Sequence, residues 1–191
     1  MTSRVAGYSF GMTEHQAKRE CELAGGQALS MAKPRQALLC TAPRVTLDFP
    51  VEAVAFSYCA ERVCEIKLMV DMVRAPQPAE GEARTKSLQD RHAAVTQTWA
   101  ALVGKYRAPD TSEGIEPDDL VTTCARSGAA ERRATWWFND ADGESTEGRL
   151  LLAYRCQSSA KIFSSTLILF YDDKEGARMR LDEREQRQSN F

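Results

Sequence analysis

Two hydrophobic periods divide this chain, and the order in which they appear predicts its architecture. Residues 53–59 (Ala-Val-Ala-Phe-Ser-Tyr-Cys) and 64–70 (Cys-Glu-Ile-Lys-Leu-Met-Val) alternate apolar and polar positions, the period-two signal of half-buried strands. Between residues 82 and 106 the period changes: Leu88, His92, Val95, Trp99, Leu102 and Tyr106 recur at spacings of three and four, which predicts one long helix with a single packed face. A shorter helix opens at Thr13, whose hydroxyl can cap it while Gln16 returns the bond, and Gly25-Gly26 stops it. Its inward stripe of Ala17, Cys21 and Ala24 is narrow and made of small residues, so it can lie close to a sheet. Further strands are predicted at 37–40, 44–49, 134–139, 149–156 and 162–171. Residues 109–117 read as a polar loop, and 118–124 suit a short helix or a strand equally.

A helix followed by antiparallel strands is thus given twice, without the strand-helix-strand alternation that builds a parallel sheet. The fold class expected is α+β: two helix-plus-antiparallel-sheet units packed together, spanning residues 1–75 and 82–172. The stretch Pro76-Gln77-Pro78-Ala79-Glu80-Gly81 has linker composition. Residues 173–191 form a mixed-charge tail in which Glu183 and Arg187 are spaced for helical pairing. The N-terminal aromatics Tyr8 and Phe10 could close an edge of the sheet.

The chain of 191 residues carries six cysteines, Cys21, Cys40, Cys59, Cys64, Cys124 and Cys156. Cys59 and Cys64 flank a tight hairpin. With Glu61-Arg62 as the turn they face each other at a non-hydrogen-bonded position about 4.5 Å apart, and a longer loop sets them at roughly 5.5 Å, so either register permits a bridge. Cys21 lies on the stripe of the first helix and Cys40 ends an apolar run, which suits a helix-to-strand bridge. Cys124 and Cys156 remain in the second half. Six cysteines allow 15 connectivities, and the competing reading is a reduced cytosolic protein in which several are small buried hydrophobes. Zinc fits poorly, because there is no second close cysteine pair and neither His15 nor His92 follows at finger spacing.

If the bridges form, the protein works in an oxidising compartment, periplasmic or secreted. The opening Met-Thr-Ser-Arg-Val-Ala-Gly has no apolar core of signal-peptide length and no lipid-attachment cysteine, so export implies a leader already removed; the alternative is a cytoplasmic protein. No run approaches the roughly 18 apolar residues of a transmembrane segment. A net charge of -2 argues against a general nucleic-acid or anionic-membrane surface.

The Gly11-Met-Thr-Glu-His-Gln-Ala17 start, the short helix, the glycine stop and the meander after it resemble the helix-plus-sheet unit of small exported bacterial proteins. These include the outer-membrane assembly lipoproteins of the SmpA/OmlA type and the β-lactamase inhibitor proteins. The resemblance covers residues 11–26 plus the order of elements that follows. It implies an extracytoplasmic protein that works by binding other proteins rather than by catalysis. The chain departs from the lipoproteins in lacking the lipidated cysteine, and no binding residue is carried over.

Catalytic patterns are sparse. There is no glycine-rich phosphate loop, no His-Glu-x-x-His and no Gly-x-Ser-x-Gly. Aligning Gly143 with the glycine of a calcium loop puts Phe138 at its first position and Arg149 at its twelfth, so residues 139–144 read as a hairpin turn. His92 sits on the helix stripe, where a structural histidine is the simpler reading, and His15 falls in a first helical turn, where the dipole disfavours its charge. Trp136-Trp137-Phe138 carry the chief binding signal. In a strand, either Trp137 packs inward with Trp136 and Phe138 outward, or the reverse, and the outward aromatics would suit a partner protein. Burial of all three in the core competes with that reading. The expectation is therefore a protein-binding module with no cofactor and no metal. A cysteine-histidine hydrolase or transferase, or a small-ligand carrier with a cavity between the long helix and the sheet, are the alternatives.

Overall fold

The computed structural model describes residues 4–31, 37–45, 51–76, 82–114, 116, 119–139, 146–158, 162–179 and 182. It is α+β. A small hairpin of β1 (Arg4–Val5) and β2 (Tyr8–Ser9) precedes helix α1 (Glu14–Leu23) and strands β3 (Gln27–Met31), β4 (Ala37–Thr41), β5 (Ala53–Cys59) and β6 (Arg62–Pro76). The long helix α2 (Glu82–Tyr106), strand β7 (Thr111–Gly114), helix α3 (Leu120–Ser127) and strands β8 (Ala129–Asn139), β9 (Thr146–Ser158) and β10 (Ile162–Asp173) complete the order. A short helix, α4, follows at 174–179. β3 to β10 form a single eight-stranded antiparallel sheet in the order β3-β4-β5-β6-β10-β9-β8-β7. The two meanders therefore meet edge to edge, along β6 and β10, and share one surface.

α1, α2 and α3 lie on one face of that sheet, and the disulfides of α1 and α3 show why. Cys21 of α1 bonds Cys40, and Cys124 of α3 bonds Cys156. Following the register from Cys40 across Val54, Leu68, Leu169 and Leu152 leads to Ala134, while Cys156 stands opposite Ala130 on the same face of β8. The side chains along these rows are buried, among them Leu38, Phe56, Ile66, Leu150, Leu167 and Trp136. Each large aliphatic or aromatic side chain removed from water here contributes about 1.5–3 kcal/mol. α2 completes the layer by setting Trp99 on Trp136 (ring centroids 6.0 Å apart) and Tyr106 edge-on to Phe138 (5.5 Å).

Local chemistry explains the element ends. Thr13 Oγ1 accepts from the Gln16 N–H (3.3 Å) while Gln16 Oε1 accepts from the Thr13 N–H (2.9 Å), the reciprocal cap expected of this sequence. The chain leaves α1 over the Cys21–Cys40 bridge, where a Cβ on Gly26 would lie 2.6 Å from Cys40 Sγ, so glycine is required. Arg44 is not in a strand: its N–H bonds the Ala24 carbonyl (2.8 Å), which ties it to the end of α1. Val45 is likewise outside any strand, and 46–49 of the strand expected at 44–49 lie outside the described residues, as do 77–81 of the linker, the 140–145 turn and 183–191 of the tail. The segment that suited helix or strand equally is α3, closed by Gly128, whose N–H bonds the Cys124 carbonyl (3.0 Å). The expected polar loop at 109–117 contains β7, a short edge strand whose pairing with β8 satisfies its backbone rather than its polar side chains. β3 was not expected. Tyr8 packs its ring edge-on against Phe56 beneath the sheet (5.0 Å) instead of closing a sheet edge.

The hairpin carrying Cys59 and Cys64 corrects the expected register. Its turn is Ala60-Glu61, not Glu61-Arg62, and both turn residues adopt positive φ (45° and 66°). Cys59 then pairs with Arg62 and Tyr58 with Val63, and the register shifts before Ser57 meets Glu65. Cys64 is the extra residue of this bulge, and the bulge brings it diagonally to Cys59 with the Cα atoms 5.6 Å apart. Non-glycine residues held in this left-handed region cost roughly 1 kcal/mol each. Replacing Ala60-Glu61 by Asn-Gly is expected to raise stability by about 1–2 kcal/mol, read as a higher denaturation midpoint at unchanged slope. An unchanged or lower midpoint would show that the turn is not strained.

Candidate functional site: the open face of the sheet

Side chains of the opposite parity point away from the helices. Across the sheet, Leu29, Leu39, Ala55, Lys67, Phe170, Leu151 and Thr135 stand in one row. Ala53, Met69, Ile168, Ala153 and Arg133 form the next. Ala53 and Ala55 are buried and most of the others half-buried, and among the described residues α1, α2 and α3 lie on the other face. Leu29 and Met31, on the edge strand β3, are 45% and 54% exposed. The result is a broad band of aliphatic and aromatic side chains on a rigid sheet, of the kind that marks an interaction surface.

A third row, Ser57, Glu65, Asp172, Arg149 and Trp137, bounds the band on one side. Lys67 Nζ reaches Glu65 Oε1 (2.8 Å) and donates to Ser57 Oγ (3.2 Å), and it sits 5.6 Å from the centre of the Phe170 ring. Arg149 donates twice to Asp172 Oδ2, from Nε (2.7 Å) and Nη2 (2.6 Å), and its guanidinium lies 5.8 Å from the Trp137 ring. At the opposite side Glu131 pairs with both Arg133 (2.7 Å) and Arg155 (3.1 Å). The hydrogen bond from Arg155 holds the Glu131 carboxyl below the usual carboxylate range.

α4 closes one end of this face over the third disulfide. Met179 Sδ lies 3.3 Å from Cys59 Sγ, and a Cβ on Gly176 would fall 2.6 Å from the Cys64 carbonyl, so only glycine lets the helix pass this close. The Gly176 N–H bonds Asp173 Oδ1 (2.9 Å), fixing the start of the helix.

All six cysteines are paired as Cys21–Cys40, Cys59–Cys64 and Cys124–Cys156. The thiol that a cysteine-histidine enzyme would need is consumed. His92 is half-buried on α2 with its carbonyl accepting from Thr96 Oγ1 (2.8 Å), and His15 is exposed on α1. The aromatic triplet of β8 divides between the faces. Trp136 points to the helices, fully buried, its indole N–H donating to the Arg107 carbonyl (2.9 Å), and is closed to a partner in the folded chain. Phe138 packs on Tyr106 on the same side. Trp137 alone joins the open face. The other members of the open band, Leu29, Leu39, Leu151, Ile168 and Phe170, were missed because each reads as an ordinary core position until the covered face is known. A cleft of about 360 Å³ lies between the N-terminal hairpin and α1, lined by Arg4, Phe10, Gln16, Glu20 and Arg62 among others.

Fold and site together define a helix-backed antiparallel sheet braced by disulfides, whose second face, among the described residues, is met by α4 at one end only. Compared with known proteins, the chain matches no family model, no curated protein and no solved structure.

Proposed function

We propose that this chain is a non-enzymatic protein-binding module of an envelope or secreted assembly, and that it docks its partner on the open face of the eight-stranded sheet. The observation that carries the reading is the one-sided placement of the helices: two disulfides pin α1 and α3 to the same face, leaving an apolar band on the other. A backbone held this rigidly loses little entropy when it binds. The three disulfides fit an oxidising, extracytoplasmic setting, and no helix among the described residues is long and apolar enough to cross a membrane. The likeness to SmpA/OmlA-type lipoproteins and β-lactamase inhibitor proteins supports a role in binding rather than catalysis.

A photo-crosslinking residue at Leu151 tests this in the cells from which the chain comes, with one at the exposed Glu22 of α1 as control. Defined adducts are expected from Leu151 and not from Glu22, and Phe170→Glu is expected to reduce them about tenfold, the effect of losing roughly 1.4 kcal/mol of binding. Adducts from Glu22 only, or adducts indifferent to Phe170→Glu, would move the partner to another surface.

A further inference from the structure

We propose that the edge strand β3 pairs with β3 of a second copy of this chain, across a two-fold axis at Leu29. This goes beyond the docking role of the open face and uses none of Leu151, Ile168 or Phe170. β3 ends the sheet, and its outer side meets no strand among the described residues. The Gln27 carbonyl accepts from Thr41 Oγ1 (3.3 Å) and so points at β4. Backbone groups alternate in direction along a strand, so those of Leu29 and Met31 also turn to β4, while the N–H and C=O of Ala28 and Ser30 turn outward. A row of alternating donors and acceptors is left open, the pattern that another extended strand fills.

The sequence of β3 says which strand that is. Sheet edges are commonly blunted by a charge, a proline or a bulge, and β7 at the other end carries Glu113. β3 is Gln-Ala-Leu-Ser-Met, without charge or proline, and its register on β4 is unbroken. Leu29 and Met31 are two of the four large hydrophobic side chains exposed among the described residues. Laid antiparallel on itself with Leu29 opposite Leu29, the strand matches along its whole length. Ala28 of each copy exchanges both backbone hydrogen bonds with Ser30 of the other, Met31 falls opposite Gln27, and no like charges stand directly opposite. An axis at Ser30 would instead set side by side the two Glu14 carboxylates to which the Ser30 hydroxyls donate (2.9 Å). Because the axis at Leu29 stands perpendicular to the sheet, the open faces of both copies look the same way. The edge alone buries less than a standard interface, so the pair forms at micromolar rather than nanomolar concentration.

Sedimentation velocity of the intact, oxidised chain between about 1 and 200 µM tests this, since a micromolar pair passes from single chains to dimers over that range. Leu29→Lys and Leu29→Glu should each weaken the dimer about tenfold or more, because the axis sets residue 29 against its own copy. An equimolar mixture of the two variants should pair again. Leu29 is 45% exposed, so both variants fold, which a melting temperature at or near the parent's confirms. Ser30→Pro removes an outward N–H that β4 does not use and should weaken the dimer by a different route. Thr111→Lys on β7 should leave it unchanged. A chain that stays single at the highest concentration would overturn the proposal, as would a mixture of the two Leu29 variants that fails to pair. Oligomers that keep growing with concentration would mean β3 on β7, an open-ended contact. A dimer lost in Phe170→Glu but not in Leu29→Lys would mean association through the open face. Either result overturns the pairing at β3.

Discussion

Replacing Cys124 and Cys156 together with alanine is expected to lower the free energy of unfolding by about 3–4 kcal/mol. The bridge closes a loop with a sequence separation of 32, and its absence gives the unfolded chain back that freedom. The same double replacement of Cys59 and Cys64 spans a separation of only 5 and should cost about 2 kcal/mol. Denaturant unfolding of the three oxidised proteins measures both values. The comparison also separates two roles: Cys124–Cys156 holds α3 to the sheet under β8 and β9, whereas Cys59–Cys64 only closes a hairpin. Equal losses would mean that the unfolded ensemble is already compact enough to cancel the difference in loop length.

The other large effect is expected from Asp172→Ala. It leaves Arg149, which is mostly buried, without the carboxylate that accepts from both its Nε and Nη2, and losing one partner of such a pair costs about 3–5 kcal/mol. Removing both charges at once, as Asp172→Leu with Arg149→Met, should cost markedly less, because no uncompensated ion remains. A cycle of the two single variants and the double, read by thermal or denaturant unfolding, isolates the coupling. If the double variant is as unstable as Asp172→Ala, side-chain packing rather than the charge pair is what holds this part of the sheet.

The parts of this fold legible in the sequence are those set by neighbours close along the chain. The end of α2 at Tyr106 follows from a stripe that stops there, and the start of α1 follows from a cap whose two halves are three residues apart. Of the bridges, Cys59–Cys64 was suggested by the hairpin and Cys21–Cys40 by the stripe of α1, while Cys124–Cys156 was only the pair left over among 15 possible connectivities. β3 was not legible because an edge strand need not hide its apolar residues: Leu29 and Met31 face water, and the segment carries no alternation of apolar and charged positions. The turn at Ala60-Glu61 was not legible because neither residue advertises positive φ. For the site, the alternation of Trp136, Trp137 and Phe138 could be stated but not its direction. That direction depends on which face α2 covers, a contact between elements rather than a property of the strand. Leu151 and Ile168 follow the same rule.

β6 ends at Pro76 and β10 does not begin until Ile162, yet these two strands lie side by side at the centre of the sheet. Pairing across so long a stretch is slow, and in a chain that emerges from its N-terminus first, β6, already paired with β5, must wait with its other edge open until β10 has been made. The order of synthesis therefore matters. The last of these long strands to appear is the one that fuses the two halves, so a surface running across both comes into being only once β10 has emerged, and a chain stalled before Ile162 has nothing to offer a partner that reads it whole.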